Sequence, residues 1–405
     1  MNELIRKICS KYDTKWDDRF KIHKSQPDLS FQEYSKSKKI ELGNQVSKKI
    51  RIYLDLKYWI YLRDAYYGNP QKKIHNEIAT CLYRLSEIGL TICPSNWLIA
   101  NEILKQKEAK RRFKTSKIVD DLSHNIIIEP LPILVEIELL HLLSQLVDGK
   151  EKVYRLNQLV WNHGGNLLGE TIPSNTSFDN ETETVLQKTF LDVISDVKFS
   201  KMIEIFVESN IKPPPFNMPD YEKGITIETD KHRNEFSTYS QVYEIELYGF
   251  LDAIKDDIYK AFKYLYLKKT GKTLTKKEEE YVRIRKLAMN LIFHAYRLNK
   301  LSTEFPQLHI NVGIHSVIRY KNMPFKKGDF YDHLHACSAI PYCNYFFTER
   351  KLCNLLIQEP LYFDKVYNCM IIYEEEQVLE ELKQLTLKYF KNHETDPLVG
   401  TICSS

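Results

Sequence analysis

Short apolar runs alternate with helical segments in two separated parts of the chain, and this alternation most constrains the fold. Over residues 51–130, pairs of segments with helical periodicity separate three apolar runs, which are RIYLD, LTICPS and NIII. The alternation resumes over residues 307–375, where helical segments precede CNYFFT and a last run near CMII. Strands that alternate with helices predict a parallel sheet covered by helices. We therefore expect the α/β class, with one parallel-sheet domain built from both parts.

Helical periodicity alone fills the stretch between these two parts. We predict long helices over residues 131–147, 150–162, 181–209, 235–268 and 276–300. The predicted organisation is an N-terminal helical extension that leads into a loop (1–50), the first part of the sheet domain (51–130), a large all-α insertion (131–306), the second part of the sheet domain (307–375) and a C-terminal helix (376–405).

Composition argues against several classes of protein. No apolar run approaches the roughly 18 residues of a membrane span, and the charged start lacks the apolar core of a signal peptide. We therefore expect a cytoplasmic protein with no membrane partner. The eight cysteines form no CxxC pair, and the chain has neither a Walker loop nor a GxGxxG motif. With a net charge of only +4, nucleic-acid binding would depend on local basic patches.

Acidic residues stand where several predicted strands and helices meet. Asp55 closes the first strand, Glu102 lies on the helix after the second, and Glu349 directly follows CNYFFT. Asp329 and Asp332 begin the helix before that strand. The carboxyl ends of parallel strands open on one edge of the sheet, so we expect these carboxylates to converge there. Close carboxylates repel one another unless a cation neutralises them, and hard oxygen ligands suit Mg²⁺ or Mn²⁺, which support phosphodiester hydrolysis.

Most of these acids also admit a purely structural explanation. Asp55 could cap the helix that follows it. Asp329 and Asp332 could favour the dipole at the start of their helix, and Glu349 could pair with a surface cation. Glu102 is harder to explain in this way, because it lies among apolar residues and a buried acid needs a partner.

The same segments resemble the motifs of the PIN-domain nuclease superfamily. The resemblance rests on RIYLDLKYW, CPSNWLIANEIL and GDFYDHLHACSA, the last followed by PYCNYFFTERKL. It covers about residues 50–130 and 307–375 and leaves the insertion and the N-terminal extension unexplained. It implies a PIN-like fold and a metal-dependent nuclease that acts mostly on RNA. By this resemblance the catalytic acids are Asp55, Glu102, Asp329, Asp332 and Glu349, and the first four would hold one or two Mg²⁺ or Mn²⁺ ions.

Basic residues supply candidate contacts for an RNA backbone. Lys105 to Lys117 contains seven positive residues and one acid. Within this run we expect the phosphate contacts to be made by Lys110, Arg111 and Arg112. The alternative is a helix face that is merely solvated.

Two histidines and one arginine near the acids are further candidates. We expect His333 or His335 to contact a phosphate, and we include Arg350 among the expected RNA contacts. The HxH pair with nearby thiols would also suit zinc. The two histidines lie about 200° apart on a helix, however, which disfavours a shared ion.

Two hypotheses from different classes remain. The first is a PIN-like endoribonuclease whose insertion selects the substrate or binds a regulatory protein. The composition fits a low-GC bacterial source, and family analogy suggests a role in defence or as a toxin. The second is a catalytically inactive PIN-like module that binds nucleic acid or a partner, favoured by Asn344 where an Asp would supply a further acid. A nuclease directed at DNA would use the same metal site.

Overall fold

The computed structural model describes residues 16–148, 154–170, 172–174, 178–210, 238–272, 278–326 and 328–392. Its strands are β1 (Ile50–Leu54), β2 (Thr91–Ile92), β3 (Ile126–Ile128), β4 (Trp161–His163), β5 (Tyr345–Phe347) and β6 (Met370–Ile372). Its α-helices are α1 (Trp16–Lys24), α2 (Phe31–Ser47), α3 (Leu56–Tyr66), α4 (Lys73–Glu87), α5 (Trp97–Lys105), α6 (Ala109–Ser123), α7 (Leu131–Asp148), α8 (Asn180–Ser195), α9 (Phe199–Glu208), α10 (Tyr239–Ala253), α11 (Lys255–Thr270), α12 (Glu278–Arg297), α13 (Leu301–Glu304), α14 (Pro306–Tyr320), α15 (Asp329–Ala339), α16 (Arg350–Ile357), α17 (Phe363–Tyr367) and α18 (Glu375–Asn392).

The strands form a small parallel sheet with one antiparallel addition. Strands β2, β1, β5 and β6 pair in that order, all parallel. Just beyond β2, Ser95 continues the sheet to β3, since its carbonyl accepts the N–H of Ile128 at 2.8 Å. Strand β4 then pairs antiparallel with β3. The parallel strands thus lie in the order β3-β2-β1-β5-β6, and their order reverses between β1 and β5, where such sheets bind ligands.

Apolar strands and amphipathic helices explain this arrangement. The centre of β1 is fully buried at Ile52, Tyr53 and Leu54, as expected of a strand covered on both faces. The α/β class and the parallel sheet predicted from the sequence are confirmed. A second hydrophobic cluster lies among α7 and α10–α14, beside the sheet.

Several predicted elements differ from the observed ones. The predicted helix over 150–162 is wrong, because residues 154–163 contain a 3-10 turn (Leu156–Gln158) and β4, while residues 150–153 lie outside the described residues. The single helices predicted over 181–209 and 235–268 are each two helices. They break at Lys198, whose backbone is extended, and at Ile254, which ends α10. Among the residues the structure describes, no helix is long and apolar enough to span a membrane.

The N-terminal extension, predicted as helical and leading into a loop, contains α1 and α2 among its described residues, and residues 48–49 connect α2 to β1. The lysine-rich segment before β1 forms most of α2, which begins at a capping box between Ser30 and Glu33. Gly43 lets α2 approach the 3-10 turn closely, since a Cβ there would lie 2.5 Å from the Cα of Gln158. Residues 1–15 and 393–405 lie outside the described residues.

Candidate functional site

Asp55 lies at the point where the strand order reverses. Its N–H donates to the carbonyl of Phe347 at the end of β5 (3.0 Å). Asp55 occupies the N-cap position of α3, yet its side chain makes no capping hydrogen bond. Instead, Oδ2 accepts from the hydroxyl of Thr348 at 3.3 Å. Capping therefore does not account for this carboxylate, which faces the end of the neighbouring strand.

Glu102 reaches from α5 toward α15. Its Oε2 lies 3.3 Å from Nε2 of His335, and Nδ1 of that ring lies 2.6 Å from the hydroxyl of Tyr53. Glu102 Oε2 and His335 Nε2 are both buried, and among the described residues neither has an aligned hydrogen bond. They contact each other as an ion pair with poor hydrogen-bond alignment. Buried polar atoms left in this way are expected where water, an ion or a ligand completes a site.

The charges of neighbouring acids raise the pKa of two of the carboxylates, Asp55 and Asp332. Burial raises the pKa of Asp55, and the charges of Glu102 and Glu349 raise it further, while His335 opposes them. Burial also raises the pKa of Asp332, which reaches about 7 with contributions from Asp55 and Glu349. Burial lowers the pKa of His335, but the charges of Glu102, Asp55 and Asp332 outweigh it and the net shift is upward. Four acids from distant parts of the chain thus share one electrostatic environment.

Asp329 lies at the margin of this cluster and has partners of its own. Its two carboxylate oxygens each lie 2.6 Å from Nζ of Lys351, and Oδ2 also accepts the N–H of Lys326. Its charge still contributes to the raised pKa of Asp332. A cation at Asp329 would compete with Lys351, so Asp329 is the least suitable of the predicted metal ligands.

Three lysines from different helices contact one of the acids or a sequence neighbour of an acid. Lys57, in the first turn of α3, donates to the carbonyl of Thr348 at 3.2 Å. Lys105, at the end of α5, has its Nζ 4.0 Å from the ring centroid of Tyr331. Tyr331 directly precedes Asp332 in the sequence. Lys351, in the first turn of α16, is half-exposed beside Asp329. Cations placed in this way suit the phosphate groups of a nucleic acid.

The three RNA contacts predicted on α6 are not equivalent. Lys110 and Arg111 are exposed, and Arg111 pairs with Glu108 one turn earlier at 3.0 Å. Arg112 instead donates to the carbonyls of Gln106 and Lys107 at 2.6 and 3.2 Å. Because those bonds close the end of α5, Arg112 has a structural role.

The other two predicted RNA contacts also differ in exposure. His333 is buried beside His315 and Phe325, and burial holds its pKa well below its ordinary value. An uncharged, buried ring is unsuited to a phosphate contact, so this expectation is corrected. Arg350 is exposed, and its guanidinium lies 5.1 Å from the ring centroid of Tyr373.

Asn344 does not occupy a fourth acid position. It precedes β5 and exchanges hydrogen bonds with Arg51 at the start of β1, its Oδ1 accepting the N–H of Arg51 at 3.0 Å. It therefore lies at the amino edge of the sheet, opposite Asp55. The residue that favoured an inactive module is part of the strand pairing and does not bear on the acidic cluster.

Sequence reasoning missed the part played by several neighbours of the acids. His335 lies three residues after Asp332 and therefore shares its helix face. Lys57 and Lys351 each lie two residues after an acid that follows a strand, in the first turn of the next helix. Their short sequence distance to the predicted acids was the signal that could have found them.

The acidic cluster suits a hard divalent cation in chemistry. Carboxylate oxygens are the ligands that Mg²⁺ and Mn²⁺ prefer, and the buried Oε2 of Glu102 lacks an aligned partner among the described residues. Within those residues, no group of three or more His, Cys, Asp or Glu side chains has the spacing of a formed metal site. Side-chain rotation would therefore accompany binding of an ion by three of these acids.

Fold and site together define an α/β protein with an acidic cluster where the strand order of its parallel sheet reverses. Comparison with protein-family models, with curated proteins and with solved structures found no match to this chain.

Proposed function

We propose that this protein is a metal-dependent, PIN-like endoribonuclease. The observation that carries the proposal is the convergence of Asp55, Glu102, Asp332 and Glu349 at the switch point of the sheet, with the pKa of Asp55 raised and that of Asp332 at about 7. Acids whose pKa values are raised by burial and by neighbouring charges are typical of functional sites. RNA as the substrate follows from the resemblance to PIN domains.

The acids and lysines would have separate roles. Asp55, Glu102 and Asp332 would hold Mg²⁺ or Mn²⁺, which would supply an activated water and neutralise charge on the phosphate. The side chains of Lys57, Lys105 and Lys351 would bind phosphate oxygens of the RNA backbone. His335 keeps a donor beside Glu102 and offsets part of the negative charge around it.

The helical insertion supports a second part of the proposal, in which a regulatory protein binds there. Several large apolar side chains of its helices are exposed, among them Tyr248, Tyr264 and Leu287. A partner that covered these side chains would remove their apolar surface from water.

Cleavage assays on RNA and single-stranded DNA of matched sequence test the proposal. We expect RNA cleavage with Mn²⁺ or Mg²⁺, none after chelation, and a loss of at least about a hundredfold in Glu102→Gln. Glu87→Gln is the matched control, because Glu87 is an exposed acid at the end of α4, on the opposite edge of the sheet. Preferential cleavage of DNA would identify DNA, and not RNA, as the substrate. Binding without cleavage of either nucleic acid would favour the inactive module.

A further inference from the structure

A chain of buried side chains connects β1 to Glu102. Tyr53 is fully buried, and its hydroxyl lies 2.6 Å from Nδ1 of His335. His335 is 1% exposed, and its Nε2 lies 3.3 Å from Oε2 of Glu102. Tyr53 stands two residues before Asp55, so both side chains project from the same face of the strand region. These side-chain contacts therefore connect the middle of the sheet to the acidic cluster.

The carboxylate of Glu102 can only accept a hydrogen bond, so it favours the form of His335 that carries a hydrogen on Nε2. In a neutral ring of that form Nδ1 has no hydrogen and accepts from the Tyr53 hydroxyl. In a charged ring both nitrogens carry hydrogen. Nε2 therefore presents N–H to Glu102 in either state. Residues that do not bind a metal themselves commonly orient a metal-binding side chain through contacts of this kind.

We propose that Tyr53 and His335 are positioning residues that hold the Glu102 carboxylate in place at the acidic cluster, where it would bind the cation. The inference rests on the proposed metal-dependent function. The Glu102 side chain is 23% exposed, and His335 is its ion-pair partner at 3.3 Å, although this contact is not aligned as a hydrogen bond. Loss of Tyr53 or His335 would let the carboxylate rotate away.

The affinity of the purified full-length protein for Mn²⁺ alone, measured by calorimetry, tests this role without RNA. We expect Tyr53→Phe to weaken Mn²⁺ binding by about 10- to 100-fold, the usual effect of removing such a partner. Tyr58→Phe is the matched control, because Tyr58 is equally buried and its hydroxyl donates to the carbonyl of Tyr373 at 3.2 Å. It should lose similar stability and bind Mn²⁺ like the wild type.

Replacement of the ring separates positioning from packing. In His335→Gln the amide nitrogen takes a place near Nε2, so we expect partial recovery of Mn²⁺ affinity relative to His335→Ala at similar thermal stability. Wild-type affinity in Tyr53→Phe, or equal affinities for the Gln and Ala variants, would overturn the positioning role alone. Absence of Mn²⁺ binding by the wild type would overturn the metal site and the positioning role together.

Discussion

Glu138 should make this protein less stable as the pH rises. The residue is on α7 and is fully buried where this helix meets the sheet domain. One carboxylate oxygen accepts from the hydroxyl of Tyr342, and the other accepts the N–H of Gln307 at 2.8 Å. Burial raises its pKa to about 8 despite these bonds. Glutamine has the shape and the neutral charge of the protonated acid, so Glu138→Gln removes the titration with little change in packing.

The sign and size of the effect follow from the two pKa values. The folded protein retains the Glu138 proton up to a pKa of about 8, whereas the unfolded chain releases it at about 4.5. The free energy of unfolding therefore falls as the pH rises between these values. Relative to acid pH, the loss is about 2 kcal/mol at pH 6 and about 4 kcal/mol at pH 8, at about 1.4 kcal/mol per pKa unit.

Urea unfolding at pH 6 and pH 8 measures this difference. The contributions of other titrating groups cancel when the variant and the wild type are compared. From pH 6 to pH 8, the free energy of unfolding of Glu138→Gln should therefore rise by about 2 kcal/mol relative to that of the wild type. Glu136→Gln changes an exposed acid two residues earlier on the same helix and should follow the wild type. Parallel pH profiles for the wild type and Glu138→Gln would refute a buried, protonated Glu138.

Three further outcomes follow from particular residues. Gly43→Ala should destabilise the protein by about 1–3 kcal/mol in urea unfolding, because the new Cβ would meet the backbone of Gln158. Gly249→Ala is the control: open space surrounds Gly249 in α10, so this variant should be neutral or slightly stabilising. Because the pKa of Asp332 is about 7, Mn²⁺ must displace its proton below that pH. Calorimetry should therefore find Mn²⁺ binding about tenfold weaker at pH 6 than at pH 8. Equal affinities would exclude Asp332 as a ligand. In RNA-binding titrations, Lys105→Ala should lower the salt slope by about 0.7 and weaken binding more than Lys110→Ala does, and the reverse order would place the RNA path along α6.

The position of the acidic cluster could be predicted because strand ends were visible in the sequence. The buried runs of β1 and β5 end directly before Asp55 and before Thr348-Glu349, and parallel strands share one carboxyl edge. The same rule places Asn344, which precedes β5, at the other edge. Its assignment as a lost acid failed because order along the strand was not applied to it.

Other features depended on contacts that local sequence does not encode. Strand β4 has only three residues, and its partner strand β3 lies far away in the sequence. Their pairing buries Trp161. The break between α8 and α9 at Lys198 allows both Val197 and Phe199 to be fully buried, which helical periodicity does not signal. The contact of His335 with Tyr53 likewise forms only when α15 packs beside β1.

Cleavage of RNA by the wild type and by Asp55→Asn, with Mn²⁺ present, is the most direct test of the central claim. Asparagine keeps the size of the side chain and can still accept from Thr348, so folding and RNA binding should be retained while cleavage falls by at least about a hundredfold. Equal cleavage by both proteins would contradict an active site at the switch point of the sheet.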